Sequence, residues 1–316
     1  MDILTIGNTT IDLYLRVPSN KGISSLTEEG PKMCFNHGSK IGIDKFEMTP
    51  GGNALNVAVG TATMGLKSQI YTEMGDDEYT KDILDALKEK KVDTKLCFKD
   101  KGTHNNVGTI IVHEGERTIF SYHEKHEYKY RDWGTPKIIY YTSMPEENET
   151  FQKVLVNFLK QNNKTILAYN PGSGQLKNGV NYLRDILSVT DILFLNKEEA
   201  ILLTREAPLE KLHKYLQDLG PKLTVITDGK NGASASANGK VVSIKAFTDD
   251  KPVVDMTGAG DAFSSGFLSA IHYNKPLREA LIWGAVNSGS VIKEIGAIRG
   301  LLDKKTIEAI VASILK

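Results

Sequence analysis

From Pro136 onward, short apolar runs alternate with longer amphipathic stretches. Strand-like runs at 138–141, 165–169, 191–195 and 223–227 are separated by helical periods through 151–159, up to Leu187, and through 209–219. That alternation predicts a parallel sheet with right-handed crossovers, whose ligands gather at the carboxyl ends of the strands. Three of those ends carry polar motifs: Asn170-Pro171-Gly172, Asn196-Lys197-Glu198-Glu199 and Thr227-Asp228-Gly229. Toward the N-terminus, 3–6 reads as a strand ending at Gly7, and 9–14 resumes an extended pattern with Asp12 at its mouth. Ala54, Ala58 and Ala62 at i, i+4, i+8 give a helix face able to pack closely. A strand at 70–74 precedes Gly75-Asp76-Asp77, where an aspartate reads as the cap of a helix bearing Ile83, Leu84 and Leu87. Between 15 and 50 the helical period fails and Pro, Gly, Ser and Asn punctuate short apolar pieces, which predicts short strands standing off the core. A hairpin is predicted for 107–113 and 117–123 around Glu114-Gly115-Glu116.

The stretch from 253 to 270 concentrates candidate chemistry. Val253 and Val254 end an apolar run, Gly258 and Gly260 bracket a turn, and Phe263, Phe267, Ala270 and Ile271 mark a buried helical stripe, so the expected order is strand, glycine turn, helix. The first N–H groups of such a helix lack partners and their dipoles sum to a partial positive charge. Gly258, Ala259 and Gly260 let an anion approach the main chain closely. Asp261 then sets a carboxylate where it would repel a merely bound phosphate, which suits a base taking a proton from an attacking hydroxyl; the plainer alternative is a helix-capping aspartate. A dinucleotide fingerprint would want a small residue where Phe263 stands, and no G-x-x-x-x-G-K-[ST] phosphate loop occurs.

D-x-T-G-A-G-D followed by A-F-x-x-G-F, from Asp255 to Phe267, resembles the C-terminal signature of the ribokinase-like (PfkB-type) carbohydrate kinases. Gly51-Gly52-Asn53-Ala54-Leu55-Asn56 resembles the family's N-terminal G-G-x-x-x-N signature, and N-x-x-E at 196–199 its metal-organising motif. The resemblance spans nearly the whole chain with its motifs in the family's order. It implies a single three-layer α/β/α domain over 1–316, with a mainly parallel central sheet and a small β-sheet lid from about 12–50 and 97–130. It further implies ATP-dependent phosphoryl transfer to a sugar hydroxyl, with Asp261 as base and residues 258–260 as anion hole. Asp12, Gly51, Gly52, Asn53 and Asn56 would bind the sugar. Asn196, Thr227, Gly229, Gly232 and Asn287 would serve the nucleotide, and Glu199 would serve Mg²⁺, largely through water. Asp255 and Thr257 precede the loop where members often bind a monovalent cation such as K⁺ through backbone carbonyls. Near residue 170 the chain reads N-P-G-S-G-Q-L-K instead of the family's aspartate-asparagine-arginine pattern, which leaves a phosphate role for Lys177 open.

Composition narrows the partners. At 316 residues, 40% apolar and 25% charged, the chain is ordinary for a globular protein, and with 39 basic and 39 acidic residues it presents no net field for nucleic acid or an anionic membrane. Cys34 and Cys97 lack metal or disulfide spacing and read as free thiols; with no signal-like or membrane-spanning apolar run, a cytoplasmic protein is expected. His123-x-x-His126 reads as a solvated pair. A nucleoside is the alternative acceptor. A phosphorylated sugar ranks lower because it needs a cationic pocket and no arginine adjoins Asp12 or 51–56. A sugar or nucleotide sensor without turnover is disfavoured by Asp261. Ile111, Ile119, Phe120 and Tyr122 would make an uncovered lid sticky, so closure over the sugar or a homodimer through the lid is expected.

Overall fold

The computed structural model describes residues 1–18, 24–27, 30–113, 116–144, 148–206, 208–249 and 251–315. In chain order its strands are β1 (Ile3–Ile6), β2 (Thr10–Arg16), β3 (Ser24–Thr27), β4 (Gly30–Met33), β5 (Lys45–Gly51), β6 (Ser68–Met74), β7 (Asp93–Lys99), β8 (Asn106–His113), β9 (Glu116–Tyr122), β10 (Ile138–Tyr141), β11 (Ile166–Tyr169), β12 (Ile192–Asn196), β13 (Leu223–Thr227), β14 (Ala233–Ala237) and β15 (Lys240–Ile244). The helices are α1 (Asn53–Thr63), α2 (Tyr79–Glu89), α3 (Glu149–Gln161), α4 (Ser173–Lys177), α5 (Gly179–Leu187), α6 (Lys197–Thr204), α7 (Leu209–Asp218), α8 (Ala259–His272), α9 (Leu277–Val291) and α10 (Lys304–Ile314).

A nine-stranded sheet runs in the order β15-β14-β13-β12-β11-β10-β1-β6-β7, parallel from β13 to β7 and antiparallel only at β14 and β15. Its central strands β1, β6 and β10 are buried at every position, which is why β1 and β10 read as mostly apolar runs, whereas β6 also buries Ser68, Gln69, Thr72 and Glu73. Because side chains alternate across a strand, neighbouring residues serve opposite layers. Leu4, Ile139, Tyr141, Leu167 and Leu193 meet Phe151, Leu155, Leu183 and Leu212 of α3, α5 and α7 on one face. Ile3, Ile138, Tyr140, Ile192 and Phe194 meet Phe267, Trp283 and Ile307 of α8, α9 and α10 on the other. Phe263 lies flat against α9 where Gly284 carries no side chain, so close packing is achieved from the partner helix.

A second sheet of four strands, β5-β2-β8-β9, and the β3–β4 ribbon stand apart in pairing from the large sheet. The small sheet covers the register where Asp12 of β2 lies beside Thr49 of β5 and Gly108 of β8.

Four features depart from the sequence expectations. The segment around Cys97 is β7, an edge strand of the large sheet, and Tyr128 and Trp133 after the hairpin pack into the main core. The apolar pair Val253 and Val254 forms no strand: both are exposed, on a loop hung from the Ile292 carbonyl by the N–H groups of Val254 and Asp255. The last strands before that loop are the antiparallel β14 and β15 at the sheet edge, so the chain reaches α8 by crossing the strand ends rather than from within the sheet. His126 is buried, with Asp100 3.6 Å from its Nδ1, whereas His123 is exposed, so the two do not form a solvated pair. No helix of the described residues is long and apolar enough to cross a membrane.

Candidate active site

The first turn of α8 starts at Gly258, whose left-handed φ of 74° and contact with Ala297 both require glycine. No side chain caps this helix, and the N–H groups of Gly260 and Asp261 find no acceptor among the described residues. A side chain at 260 would project into open space, so the donors face a cavity and not protein. Free N–H donors at a helix N-terminus are what binding of an anion requires.

Asp261 is buried at the third position of that helix. It accepts hydrogen bonds from Asn53 Nδ2 at 3.0 Å and Asn56 Nδ2 at 2.8 Å, across more than two hundred residues of sequence. The crossing of α1 and α8 is tight because Gly60 packs against Ser265. The aspartate is therefore not a capping residue, and the two asparagines read as sugar contacts have their donors on it. Burial pushes Asp261 up to about 6, helped by nearby Asp12 and opposed by the two amides. Burial likewise pushes Asp12 up to about 6, against a 3.2 Å hydrogen bond from Thr10 Oγ1 and with Asp255 adding to the rise. Gly51 and Gly108 leave the slot that the Asp12 carboxylate fills, so the role of Gly51 is to make room for Asp12; Gly52, at φ 98°, turns the chain into α1.

A cavity of about 260 Å³ brings the separated motifs together: Asn53, Asn196, Glu199 and Thr227 line it with Gly258, Ala259, Gly260 and Asp261. Asn196 and Glu199 form a reciprocal capping box on α6, with bonds of 2.8 and 2.9 Å, yet burial raises Glu199 above the usual carboxylate range and keeps it facing this cavity. A second cavity of about 370 Å³ joins it at Ala259 and Gly260 and is walled by Thr227, Gly229, Gly232, Phe247, Ser288 and Gly289. Lys197 and Asp228, paired at 2.7 Å, tie the ends of β12 and β13 together beneath it.

The structure places two candidates elsewhere. Asn287 is fully buried, donating to the Ala262 carbonyl at 2.8 Å and accepting from Leu302 N–H at 3.0 Å, so it locks α9 onto α8 and lines neither cavity. Asp255 braces its loop: Thr257 donates to one carboxylate oxygen and Gly296 N–H to the other, and these bonds outweigh burial to hold the group below its ordinary range. A monovalent cation there would depend on backbone carbonyls alone. Lys177 is exposed on α4 and lines neither cavity. Residues that the sequence reading passed over are Arg117, Phe247, Lys251 and Lys293, single residues outside any motif, and Met256, the variable position of D-x-T-G-A-G-D; all line the cavities.

A glycine-framed helix N-terminus beside a buried carboxylate, at the carboxyl ends of a parallel sheet and under a small sheet, defines a phosphotransferase of the ribokinase fold. Residues 2–305 match the model of the pfkB family carbohydrate kinases, and the chain belongs to that family. It is a sugar or nucleoside kinase. It is 26% identical over 323 residues to an ATP-dependent 6-phosphofructokinase of Thermoanaerobacterium thermosaccharolyticum, covering 98% of this chain and 93% of the other. The fold is shared with a nucleoside kinase of Methanocaldococcus jannaschii at TM-score 0.79, 20% identity and 99% coverage of both chains. It is shared too with an Arabidopsis thaliana ribokinase complexed with ribose and ATP, at TM-score 0.79, 18% identity and 98% coverage of both.

The pair of raised carboxylates carries a prediction. With Asp261 as the base, which must be ionised to work, kcat/KM is expected to fall as pH drops through about 6, the value to which burial lifts Asp261 and Asp12. Asn56→Ala removes a bond that favours the charged form and should move this acid limb to higher pH. A pH–rate profile of both proteins checks it; a wild-type limb at the ordinary carboxylate value would contradict it.

Proposed function

We propose that the chain transfers the γ-phosphoryl group of ATP to a hydroxyl of a sugar. The observation that carries this reading is the 260 Å³ cavity in which the partnerless N–H groups of α8 and the buried Asp261 carboxylate face the same space. The nucleotide would lie in the 370 Å³ cavity with its phosphates at Gly229, Gly232 and the α8 N-terminus. The acceptor would enter from the Asp12 side, where a carboxylate can accept from two neighbouring hydroxyls. Asp261 takes the proton of the attacking hydroxyl as its oxygen bonds to phosphorus and the bond to the β-phosphate oxygen breaks. The helix N–H groups meet charge on the transferring group. The donor set suits Mg²⁺: among the described residues no three ligating side chains cluster, and one Glu199 oxygen is committed to its cap, so the ion would be held chiefly by phosphates, with Glu199 acting through water. Bound there, it would neutralise phosphate charge. An assay for ADP release with a panel of sugars and nucleosides tests the reading. Release with a nucleoside alone would move the acceptor to that class, and binding without release would make the chain a sensor.

The small sheet supports a second element of the proposal. On the face opposite Asp12, Phe46 and Met48 of β5 and Phe120 and Tyr122 of β9 are exposed on the two edge strands of the sheet, apolar side chains that a lone molecule would leave in water. Two-fold pairing of this face would cover them. Light scattering at micromolar concentration should give twice the monomer mass, and Phe120→Glu should return a monomer; a wild-type monomer would defeat the idea.

A further inference from the structure

We propose that the sugar acceptor already carries a phosphate ester, held by a row of cations across the small sheet; this rests on the sugar-kinase reading above. The row follows from the register. Lys45 of β5 lies opposite Arg16 of β2, Arg16 lies beside Val112 of β8, and Val112 lies opposite Arg117 of β9. Paired residues project to the same face of a sheet, and residues two apart do so as well, so this row shares its face with Tyr14 and Asp12.

All three cations line one cavity of about 430 Å³, together with Tyr14, Glu47 and Asp255. The row lies two side-chain steps beyond Asp12, about 13 Å along β2, and lines the same cavity as Tyr14, which occupies the step between. The cavity is continuous at Arg117 and Met256 with the one that holds Asp261. A group seated there is thus at the end of the acceptor remote from the reacting hydroxyl.

The charge arrangement asks for an anion. Arg16 opposite Lys45 is a like-charge cross-strand pair, which by itself destabilises a sheet. Glu47 is the nearest compensation, but it is shared between Lys45 and Arg299, the latter at 2.7 Å. Arg117 meets Asp255 at 3.3 Å, while the Arg16 guanidinium has no hydrogen-bond or ion-pair partner among the described residues. The hydroxyl of Tyr14, a side chain only 5% exposed, borders the cavity beside Thr257 and Asp255. Two guanidinium forks, an ammonium and a phenol form a donor set for a phosphate dianion, which an uncharged sugar or a nucleobase would leave unmatched.

The test measures ADP release by the full chain on matched acceptors: fructose with fructose 6-phosphate, ribose with ribose 5-phosphate, and adenosine and cytidine. A phosphorylated acceptor is expected to exceed its free sugar at least tenfold in kcat/KM. Arg16→Gln and Lys45→Gln should each cut that preference by about tenfold, the worth of a charge-assisted hydrogen bond, with the KM for ATP unchanged. Equal or better use of a free sugar or nucleoside would overturn the inference and leave the kinase reading standing. Absence of ADP release with every acceptor would instead sink the kinase reading. Calorimetric titration of the same pairs would then decide the phosphate site by itself, with equal affinity for the members of a pair counting against it.

Discussion

Replacing Asp261 by asparagine is expected to lower kcat by at least about a hundredfold while the KM for ATP stays close to wild type, the loss typical of a positioned proton acceptor. The same substitution should stabilise the fold. The folded-state value of about 6 lies above the ordinary 3.8, so the folded protein holds this proton more tightly than the unfolded chain does. The ionised carboxylate therefore weakens the fold. The penalty is absent below about pH 4, grows as pH rises, and is complete above about 6, where it amounts to at most about 3 kcal/mol. Asparagine fits the site because Asn56 Oδ1 is buried without a partner, and turning that amide over offers an acceptor to the new NH₂ group. Kinetics under conditions where chemistry limits the rate, with melting curves at pH 5 and 7.5, check both halves. More than about a tenth of wild-type kcat remaining would remove the base assignment. A stability gain equal at the two pH values would show that the buried charge is not its source.

Asp12→Ala should raise the KM for the acceptor strongly and that for ATP little. Asp12 sits on β2, in a slot kept open by Gly51 and Gly108, and lines neither of the two cavities that meet at the start of α8. Its charge also adds to the elevation of Asp261. Removing it lets Asp261 ionise more easily, so the acid limb should shift to lower pH, opposite to the shift expected for Asn56→Ala. Steady-state kinetics with each substrate varied in turn give the answer. A change confined to ATP would mean that the two substrates enter from the opposite sides to those proposed.

What the sequence determined by itself was whatever depends on near neighbours in the chain. The strands β1, β10 and β12 were legible because both sheet faces are buried and nearly every position is apolar, Thr5 and the terminal Asn196 excepted; β6 was legible only from Ile70 to Met74. The uncapped start of α8 was legible because a helix terminus exposes its donors regardless of what packs around it, and Gly258 is its local requirement. Asn196 and Glu199 were visible as a capping pair for the same reason, being one helical turn apart.

Side-chain direction was decided by packing between distant segments, and there the tertiary structure had the last word. Asn53 and Asn56 turn to Asp261 because α1 crosses α8 where Gly60 allows it, a contact with no local signal. Asn287 turns inward, donating to the Ala262 carbonyl and accepting from Leu302 N–H, because a buried amide in the α8–α9 interface must find its partners there. Val253 and Val254 carry the composition of a strand yet have none to pair with, since β14 and β15 already close that edge of the sheet. The cation row shows the difference most directly: no arginine adjoins Asp12 in sequence, but the two-residue period of β2 puts Arg16 on its face, and hydrogen-bonded register brings Lys45 and Arg117 from segments that only folding makes neighbours.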